Sequence, residues 1–242
     1  MNMLVSIIIP VYNEEDRIKI TFPKIKDYLQ GIKDANFEII FVNDGSKDKT
    51  EKVIKKLISN SKTFKLVSYK TNRGKGYALK KGFEKAQGDW IFFMDADLST
   101  PIKYIKTFLN KAKDKNTIYI GSRKTKGSNV KKHQPWFREK LGQGFTLISN
   151  ILLVKDITDF TCGFKLFPNR AGKEIFSKVQ IDRWGFDSEV LFIAKNKGYN
   201  IKEIPVEWIN DEKTKVNLFK DVPQSLLDIF LIRKNHFFKK YR

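Results

Sequence analysis

Residues Trp90-Ile-Phe-Phe-Met-Asp-Ala-Asp97 place two carboxylates directly after a run of apolar side chains. The run from Trp90 to Met94 has the length and composition of a buried β-strand. Residues two apart in extended backbone point to the same side, so Asp95 and Asp97 are expected to face one cation. Hard Mg²⁺ or Mn²⁺ prefers oxygen ligands and keeps positions open for phosphate oxygens. The stretch therefore predicts a divalent-cation site, which would offset the charge of a bound diphosphate.

Apolar runs of this kind recur along the first half of the chain and alternate with helical patterns. Strands are predicted over Leu4–Ile9, Phe37–Val42, Phe64–Tyr69, Asp89–Met94 and Thr117–Ile120. Helices are predicted over Glu14–Gln30, which Pro23 is expected to kink or split, and over Lys47–Ser59, Gly76–Ala86 and Pro101–Lys113. Strands without a polar face that alternate with helices are typical of an α/β fold. We therefore expect a Rossmann-like, mainly parallel sheet with helices on both faces.

The second half of the chain is less regular. The predicted elements are a helix over Trp136–Val154, a strand over Phe160–Phe167, a helix over Asp187–Asn196, a strand over Ile201–Trp208 and a helix over Pro223–Lys239. Because no repeat and no Gly/Ser linker interrupts the chain, we predict one domain over residues 1–242. It consists of a first half at 1–125, an elaborated half at 126–220 and a basic amphipathic tail helix at 221–242.

The charge and cysteine content narrow the class of protein. Lys and Arg number 47 against 27 Asp and Glu, a formal net charge of +20. Such an excess indicates an anionic partner, which is nucleic acid, an acidic membrane surface or a phosphorylated substrate, although solvated lysine-rich faces would also produce it. A hydrophobic content of 41% excludes wholesale disorder. The lone cysteine, Cys162, excludes an internal disulfide and fits a reducing compartment.

The apolar segments are too short to cross a bilayer, which takes roughly 20 residues. The apolar start at Met3–Ile9 lacks the basic region of a secretory signal, so we expect a cytoplasmic protein. Trp136, Phe137 and the tail at 226–242 combine apolar and basic residues, which is typical of a helix lying on anionic lipid. We therefore expect peripheral attachment to the cytoplasmic face of a membrane. The alternative is a tail helix that packs on the core.

Polar residues follow each strand of the first half, where open α/β sheets bind their ligands. These clusters are Pro10–Glu14, Asn43–Asp48, Thr71–Gly76, Asp95–Asp97 and Gly121–Arg123. Any one of them is explained by a turn and a helix cap, but together they predict a site at this edge of the sheet. The Gly74–Leu79 segment has a partial dinucleotide fingerprint, yet its third glycine position is Leu79, which disfavours a dehydrogenase. His133 and His236 have no neighbouring ligand set and are expected on the surface.

Over nearly its whole length the chain resembles glycosyltransferase family 2 enzymes of the GT-A fold. It is most similar to their dolichyl-phosphate β-glucosyltransferase branch, with polyprenyl-phosphate mannosyltransferases next. The motifs that carry the resemblance are Ile9–Glu14, Val42–Ser46, Asn72–Gly76, Asp95–Pro101, Gly121–Arg123, Thr158–Phe167, Arg183–Asp187, and Trp208 with Thr214 and Lys215. The Asp95–Pro101 and Cys162–Phe167 motifs are shared by fewer enzymes than the other motifs, and they favour the glucosyl branch.

The resemblance implies a role for particular residues. It assigns nucleotide-sugar binding in the first half to Pro10, Tyr12, Glu14, Val42, Asp44, Lys75, Asp95, Ala96, Asp97 and Arg123, joined by Lys215 on a closing loop. Among these, Pro10, Tyr12 and Glu14 would line the nucleoside pocket and Asp44 would contact the base. It assigns the metal to Asp95 and Asp97, with Ser99 where the mannosyl relatives supply a glutamine. The catalytic residues are then Asp97, Arg123 and Asp187. Residues 1–125 would form the nucleotide-sugar-binding half and residues 126–220 the acceptor half, in which Arg138 would bind the acceptor.

The implied reaction is a metal-dependent, inverting transfer of glucose from UDP-glucose to a dolichyl-type polyprenyl phosphate. A phosphate monoester is already anionic at pH 7 and needs no strong general base. One alternative keeps the fold and uses GDP-mannose as donor. Another uses a glycan hydroxyl as acceptor, which requires a carboxylate base, either Asp187 or Asp159. A non-catalytic module that binds nucleic acid or membrane is disfavoured by the acidic sheet edge, so no nucleic-acid partner is expected.

Overall fold

The computed structural model describes residues 3–211 and 218–242 of the 242-residue chain. Its strands are β1 (Met3–Val11), β2 (Ala35–Asp44), β3 (Phe64–Tyr69), β4 (Trp90–Met94), β5 (Thr117–Ser122), β6 (Asn129–Lys132), β7 (Phe164–Pro168), β8 (Asn200–Pro205) and β9 (Glu207–Ile209). Its helices are α1 (Glu15–Gln30), α2 (Thr50–Ile58), α3 (Lys75–Lys85), α4 (Tyr104–Lys111), α5 (Trp136–Leu152), α6 (Asn169–Lys178), α7 (Phe186–Asn196) and α8 (Leu218–Phe237).

Seven of these strands form one sheet in the order β3-β2-β1-β4-β7-β5-β8. All neighbours in it are parallel except β7, which runs antiparallel to both β4 and β5. The predicted α/β class with a mainly parallel sheet is confirmed. The antiparallel orientation of β7 was not predicted. A strand was predicted over Phe160–Phe167, whereas β7 is shorter and covers Phe164–Pro168.

Two hydrophobic clusters, one on each face of the sheet, explain why the strands are apolar throughout. In β1, Ile7 and Ile9 pack in the cluster that contains the buried residues of α1 and α4. Ile8, between them, packs with the buried residues of α3, α6 and α7. Alternate side chains of a strand point to opposite faces, so a sheet covered on both faces needs apolar residues at every position.

Three local features differ from what the sequence predicted. The helix α1 is not split at Pro23 and continues from Glu15 to Gln30, with Phe22 and Ile25 both buried against the sheet. The predicted strand Ile201–Trp208 is divided into β8 and β9, because β9 pairs with β6 in a separate two-stranded sheet. The helix α6 was missed in the segment that follows β7.

The two predicted halves share a single sheet, because β7 and β8 come from the 126–220 segment and lie beside strands of the first. The tail helix α8 docks on the core through buried Ile229 and Ile232. Beyond it, the Tyr241 hydroxyl donates a hydrogen bond of 2.6 Å to Glu189 Oε1 of α7. Across the described parts of the chain, none of the helices has the length and apolar character required to span a bilayer.

Helix α3 packs unusually closely on β1 at Gly82. A Cβ at this position would lie 2.3 Å from Ile8 Cγ2, in the fully buried core. We expect Gly82→Ala to lower the free energy of unfolding by about 1–3 kcal/mol, because overpacking outweighs the better helix propensity of alanine. The measurement is a urea titration.

Gly144 of α5 is the matched control, since a Cβ there meets nothing within 4 Å. Gly144→Ala makes the same change inside a helix and should raise stability by about 0.5–1 kcal/mol. Equal effects of the two substitutions would contradict the close contact between α3 and β1.

Candidate active site

The loops that follow β1 and β2 are joined by hydrogen bonds between side chains and backbone. The Ser46 hydroxyl accepts from the Asn13 N–H at 2.9 Å, and Asn13 Oδ1 accepts from the Lys47 N–H at 2.8 Å. The Thr50 hydroxyl accepts from the Glu14 N–H at 2.8 Å. Asn13 has a positive φ of 53°, a conformation that asparagine adopts more readily than most residues. The two loops therefore form one rigid wall of the site.

Three residues predicted to line a nucleoside pocket lie on this wall. Pro10, Tyr12 and Glu14 are each half-buried. The Glu14 carboxylate is ion-paired with Arg17 at 2.5 Å, and Arg17 also contacts Asp211 at 2.9 Å. The placement at the carboxyl end of β1 is compatible with a bound base, and the assignment stays a prediction.

Asp44, at the end of β2, holds the loop that follows β3. Its Oδ1 accepts from the Arg73 N–H, and its Oδ2 accepts from the Gly74 N–H and from Asn72 Nδ2, all at 2.8 Å. Asp44 is buried, so these charge-assisted bonds are strong. The sequence predicted a contact between Asp44 and a nucleoside base, which remains a prediction. The structure shows a further role, because the Asp44 carboxylate holds the loop after β3 in place.

The glycines of that loop allow it to pack against the loop that precedes α7. A Cβ on Gly74 would lie 2.5 Å from the Asp182 carbonyl oxygen, and one on Gly76 would lie 2.5 Å from that of Ile181. Gly74 also has a φ of 115°, which side chains rarely tolerate. The Arg73 guanidinium pairs with the Asp182 carboxylate at 2.8 Å. The glycine spacing that looks like a dinucleotide fingerprint is thus explained by contact between two protein loops.

The two loops present Lys75 to the acidic pair after β4. Lys75 Nζ lies 2.5 Å from Asp95 Oδ1. Burial lowers the pKa of Lys75, but the carboxylates of Asp95 and Asp187 outweigh this effect and raise it above its ordinary value. The other Asp95 oxygen fills the space beside Gly163, where a Cβ would lie only 1.9 Å away. The position of the Asp95 carboxylate is therefore defined on both sides.

The surroundings of Asp97 are suited to a divalent cation. Burial raises the pKa of Asp97, and the nearby Asp95 carboxylate raises it further, as expected for two like charges in one site. Asp97 Oδ1 accepts a hydrogen bond of 2.8 Å from the Ser99 N–H, which brings Ser99 to the same place. Two carboxylates and a hydroxyl match the oxygen donors that Mg²⁺ and Mn²⁺ prefer. Within residues 3–211 and 218–242, no group of three or more His, Cys, Asp and Glu side chains is placed to hold a metal.

Arg123, after β5, is held by a buried carboxylate. Its Nε and Nη2 donate to the two oxygens of Asp159 at 2.6 and 2.7 Å, and Nη2 also donates to the Thr161 hydroxyl at 2.8 Å. Its guanidinium lies 5.3 Å from the centre of the Trp208 ring. Although burial raises it, the pKa of Asp159 is held well below its usual range by Arg123. A carboxylate in this state is a poor proton acceptor, which argues against Asp159 as a general base.

Asp187 lies in the first turn of α7, and its carboxylate pairs with the buried ammonium of Lys165. Burial raises the pKa of Asp187, while Lys165 and Lys75 oppose that shift. Lys165 lies within the Thr158–Phe167 motif, but the sequence did not indicate a role for it. The available signal was a charged residue inside the otherwise apolar strand β7, because lysine is almost never fully buried unless it is paired.

The remaining predicted residues lie in different environments. Val42 has no exposed surface and packs in the core, and Ala96 is buried between the two aspartates, so neither side chain lines an open cleft. Arg138 is half-buried in the first turn of α5, and its role stays a prediction. Lys215 lies outside the described residues. His133 and His236 are exposed, as predicted.

We expect Asp44→Asn to loosen the loop at residues 71–74, because an amide cannot accept from all three donors that the carboxylate now satisfies. The loss of charge-assisted bonds and the unpaired N–H groups should cost about 2–3 kcal/mol of stability. Amide hydrogen exchange at Arg73 and Gly74 should accelerate. The exposed Asp16, which contacts Lys19, provides the control Asp16→Asn with unchanged exchange. Unchanged exchange in the Asp44 variant would contradict this role.

Comparison with known proteins supports an assignment at the level of the family. Residues 6–176 match the sequence model of glycosyl transferase family 2. A dolichyl-phosphate beta-glucosyltransferase of Trichomonas vaginalis is 36% identical over 88% of this chain and 68% of its own length. Enzymes of the same name are 34% identical in Dictyostelium discoideum, over 96% of this chain and 74% of the relative, and 33% identical in Homo sapiens, over 94% and 74%.

Solved structures show the same fold at lower identity. Mannosyl-3-phosphoglycerate synthase from Rubrobacter xylanophilus has a TM-score of 0.71 at 14% identity and covers 98% of this chain and 75% of its own. Glucosyl-3-phosphoglycerate synthase from Mycobacterium tuberculosis, crystallised with UDP, has a TM-score of 0.65 at 15% identity, over 95% and 80%. A mannosyltransferase of Pyrobaculum calidifontis, in complex with GDP-Man and Mn²⁺, has a TM-score of 0.64 at 19% identity, over 96% and 64%.

Proposed function

This chain belongs to glycosyl transferase family 2, and from that premise we propose that it transfers glucose from UDP-glucose to a dolichyl-type polyprenyl phosphate. The chain is a glycosyltransferase, and the relatives named above are dolichyl-phosphate beta-glucosyltransferases at 33–36% identity. The observation that carries the proposal is the acidic pair Asp95 and Asp97 at the carboxyl end of β4, with the cation of Lys75 at 2.5 Å.

The state of the other carboxylates favours a phosphate over a hydroxyl as acceptor. A glycan hydroxyl must lose a proton as it attacks, and Asp159 and Asp187 were the residues predicted to take it. Both are buried and ion-paired: despite burial, the pair with Arg123 keeps the pKa of Asp159 low, and Asp187, although burial raises its pKa, has one carboxylate oxygen occupied by the Lys165 ammonium. A phosphate monoester is already an anion at neutral pH and attacks without a base. The site is therefore better suited to a phosphate than to a hydroxyl as acceptor.

The transfer is a single in-line displacement at the anomeric carbon. An oxygen of the acceptor phosphate bonds to this carbon as its bond to the UDP oxygen breaks, and the electron pair leaves with the diphosphate. This step inverts an α-linked donor to a β-linked product. The protein aligns the donor diphosphate with the acceptor phosphate and offsets their negative charge. The cations proposed for this role are Lys75, Arg123, Arg138 and Lys215.

Asp95, Asp97 and Ser99 would hold Mg²⁺ or Mn²⁺. Such an ion, when bound, offsets the negative charge that develops on the leaving diphosphate. Pro10, Tyr12, Glu14 and Asp44 are proposed to line the nucleoside pocket, and Val42 and Ala96 to shape it from within the core. In this scheme residues 1–125 bind the donor and residues 126–220 the acceptor.

We also propose that the enzyme attaches peripherally to the cytoplasmic face of an anionic membrane. Most of the large apolar side chains exposed in the described parts of the chain lie on α5, α8 and the C-terminal end. They are Trp136, Phe137, Leu141, Leu147, Ile151, Leu227, Phe230, Leu231, Phe237 and Phe238. Basic residues adjoin them, among them Lys140, Arg233 and Lys234. Apolar and cationic side chains on one surface are what an interfacial helix presents to anionic lipid.

The function is tested by turnover of purified protein with a short polyprenyl phosphate. UDP-glucose and GDP-mannose are compared, each with Mn²⁺ and with a chelator. We expect β-glucosyl phosphate product from UDP-glucose and loss of turnover with the chelator. Transfer from GDP-mannose alone would keep the mechanism and overturn the donor, and nucleotide binding without transfer would overturn the acceptor.

Asp97→Asn keeps the shape of the side chain and removes its charge. Since Asp97 is proposed to hold the metal, we expect turnover to fall at least about 100-fold, equivalent to about 2.7 kcal/mol, with thermal stability retained. Asp27→Asn, at an exposed carboxylate of α1, is the control and should leave turnover unchanged. Wild-type turnover by the Asp97 variant would remove the metal proposal.

Membrane attachment is tested by sedimentation with vesicles that contain phosphatidylserine, at low and high salt. Replacing Leu227 and Phe230 by serine should reduce bound protein at least about tenfold, since each apolar side chain contributes about 1.5–3 kcal/mol when it leaves water. Ile20→Ser is the matched control, because Ile20 is similarly exposed (61%) but lies on α1. Equal binding by all three proteins, or no binding by the wild type, would reject the surface.

A further inference from the structure

Lys165 is a lysine without solvent access in the middle of the sheet. It lies on β7, opposite Phe93 of β4 and Ile120 of β5, and its exposed fraction is 0%. An ammonium group has three N–H donors, and each has a partner here. They donate to the carbonyl oxygens of Phe160 at 2.9 Å and Cys162 at 2.8 Å, and to Asp187 Oδ1. A charge buried in this way is retained only with partners of this quality.

The three acceptors belong to the two segments that surround the acidic pair. The Phe160 and Cys162 carbonyls are on the turn that leads to Gly163. Gly163 leaves room for the Asp95 carboxylate, and its carbonyl accepts from the Asp95 N–H at 3.2 Å. Asp187, the third acceptor, lies in the first turn of α7. One ammonium group thus joins the turn behind Asp95 to the helix that carries Asp187.

Lys75 lies against the start of α7, next to Asp187: its Nζ is 5.9 Å from the centre of the Phe186 ring, and a Cβ on the adjacent Gly76 would lie 2.8 Å from Phe186 Cβ. Lys75 Nζ also lies 2.5 Å from Asp95 Oδ1. Although burial lowers the pKa of Lys75, the Asp95 and Asp187 carboxylates raise it. The side chain of Lys75 is only 14% exposed, so its orientation depends on these neighbours. The exposed fraction of the side chain increases from Lys165 (0%) and Asp187 (6%) to Lys75 (14%) and Asp95 (38%), so charges of alternating sign lead from the core outward.

We propose that Lys165 is a positioning residue, which fixes the Asp187 carboxylate behind Lys75 and thereby directs the Lys75 ammonium toward the donor diphosphate. This rests on the proposed function, in which Lys75 binds the donor. Asp187 then serves as the counter-ion of Lys75 and not as a proton acceptor. Lys165 itself touches no substrate and acts through Asp187.

The test uses a variant that removes both charges of the buried pair. Lys165→Met alone leaves Asp187 and two carbonyls unpaired in the core, and such a protein is expected to be unstable. Lys165→Met/Asp187→Leu removes the unpaired buried charge, which is the costlier defect, and leaves only the Phe160 and Cys162 carbonyls without the Lys165 donor. We expect a cooperative thermal transition for this double variant. Lys202→Met, at an exposed lysine of β8, is the control for the substitution.

Two readouts follow the position and the function of Lys75. In crystals of the double variant, we expect the Lys75 ammonium to have left its wild-type position beside Asp95. By calorimetry, we expect the affinity for the nucleoside diphosphate to fall at least tenfold, with kcat lowered as well. A folded double variant with Lys75 in place and affinity within twofold of wild type would overturn the proposal.

Asp187→Asn separates a counter-ion from a proton acceptor. Loss of the counter-ion should weaken nucleotide binding and turnover together, whereas loss of turnover at unchanged affinity would make Asp187 the base and contradict the proposal. UDP and GDP are both titrated, so a wrong donor appears as binding of the other nucleotide by the wild type. The position of Lys75 in crystals is read independently of any donor.

Discussion

The site depends on the way β4 is held between β1 and β7. All five residues of β4 are paired with β7, from Trp90 opposite Pro168 to Met94 opposite Phe164. On the other side, β4 pairs with β1 from Val5 opposite Trp90 onward. The ladder continues one step further, through the bond from the Asp95 N–H to the Gly163 carbonyl. Asp95 therefore leaves the sheet in a fixed direction, and the carboxylate pair inherits its geometry from a strand with no free edge.

The parts of this arrangement that local sequence could predict are those with a local cause. The strands of the first half and the acidic pair follow from apolar runs and from residues two apart. Pairs such as Lys165 with Asp187 and Arg123 with Asp159 join residues that are 22 and 36 positions apart, so they arise only once β7 is inserted between β4 and β5. The antiparallel direction of β7 and the β6–β9 pairing also depend on tertiary topology, so the local sequence could not predict them.

The overall positive charge of the chain does not describe the site, because cations there are paired with carboxylates. The chain carries a net charge of +20, yet two of the cations proposed to bind phosphate are already paired with carboxylates, Lys75 with Asp95 and Arg123 with Asp159. A ligand phosphate must therefore share these cations with the protein. Sharing keeps the cations in place before the ligand arrives, which lowers the cost of ordering them. The lysine excess elsewhere on the surface acts at longer range and is screened by salt.

The tail helix α8 connects the outer surface to the site. Its Asp228 packs against Gly185, where a Cβ would lie 2.4 Å from Asp228 Oδ2, directly before the helix that carries Asp187. Phe230 of the same helix is 60% exposed and faces away from the core. Because one rigid helix carries both residues, the apolar outer surface and the Asp187 end of the site keep a constant relative orientation. The proposed polyprenyl phosphate acceptor, with its lipid tail in a membrane and its phosphate at the site, would require that kind of connection.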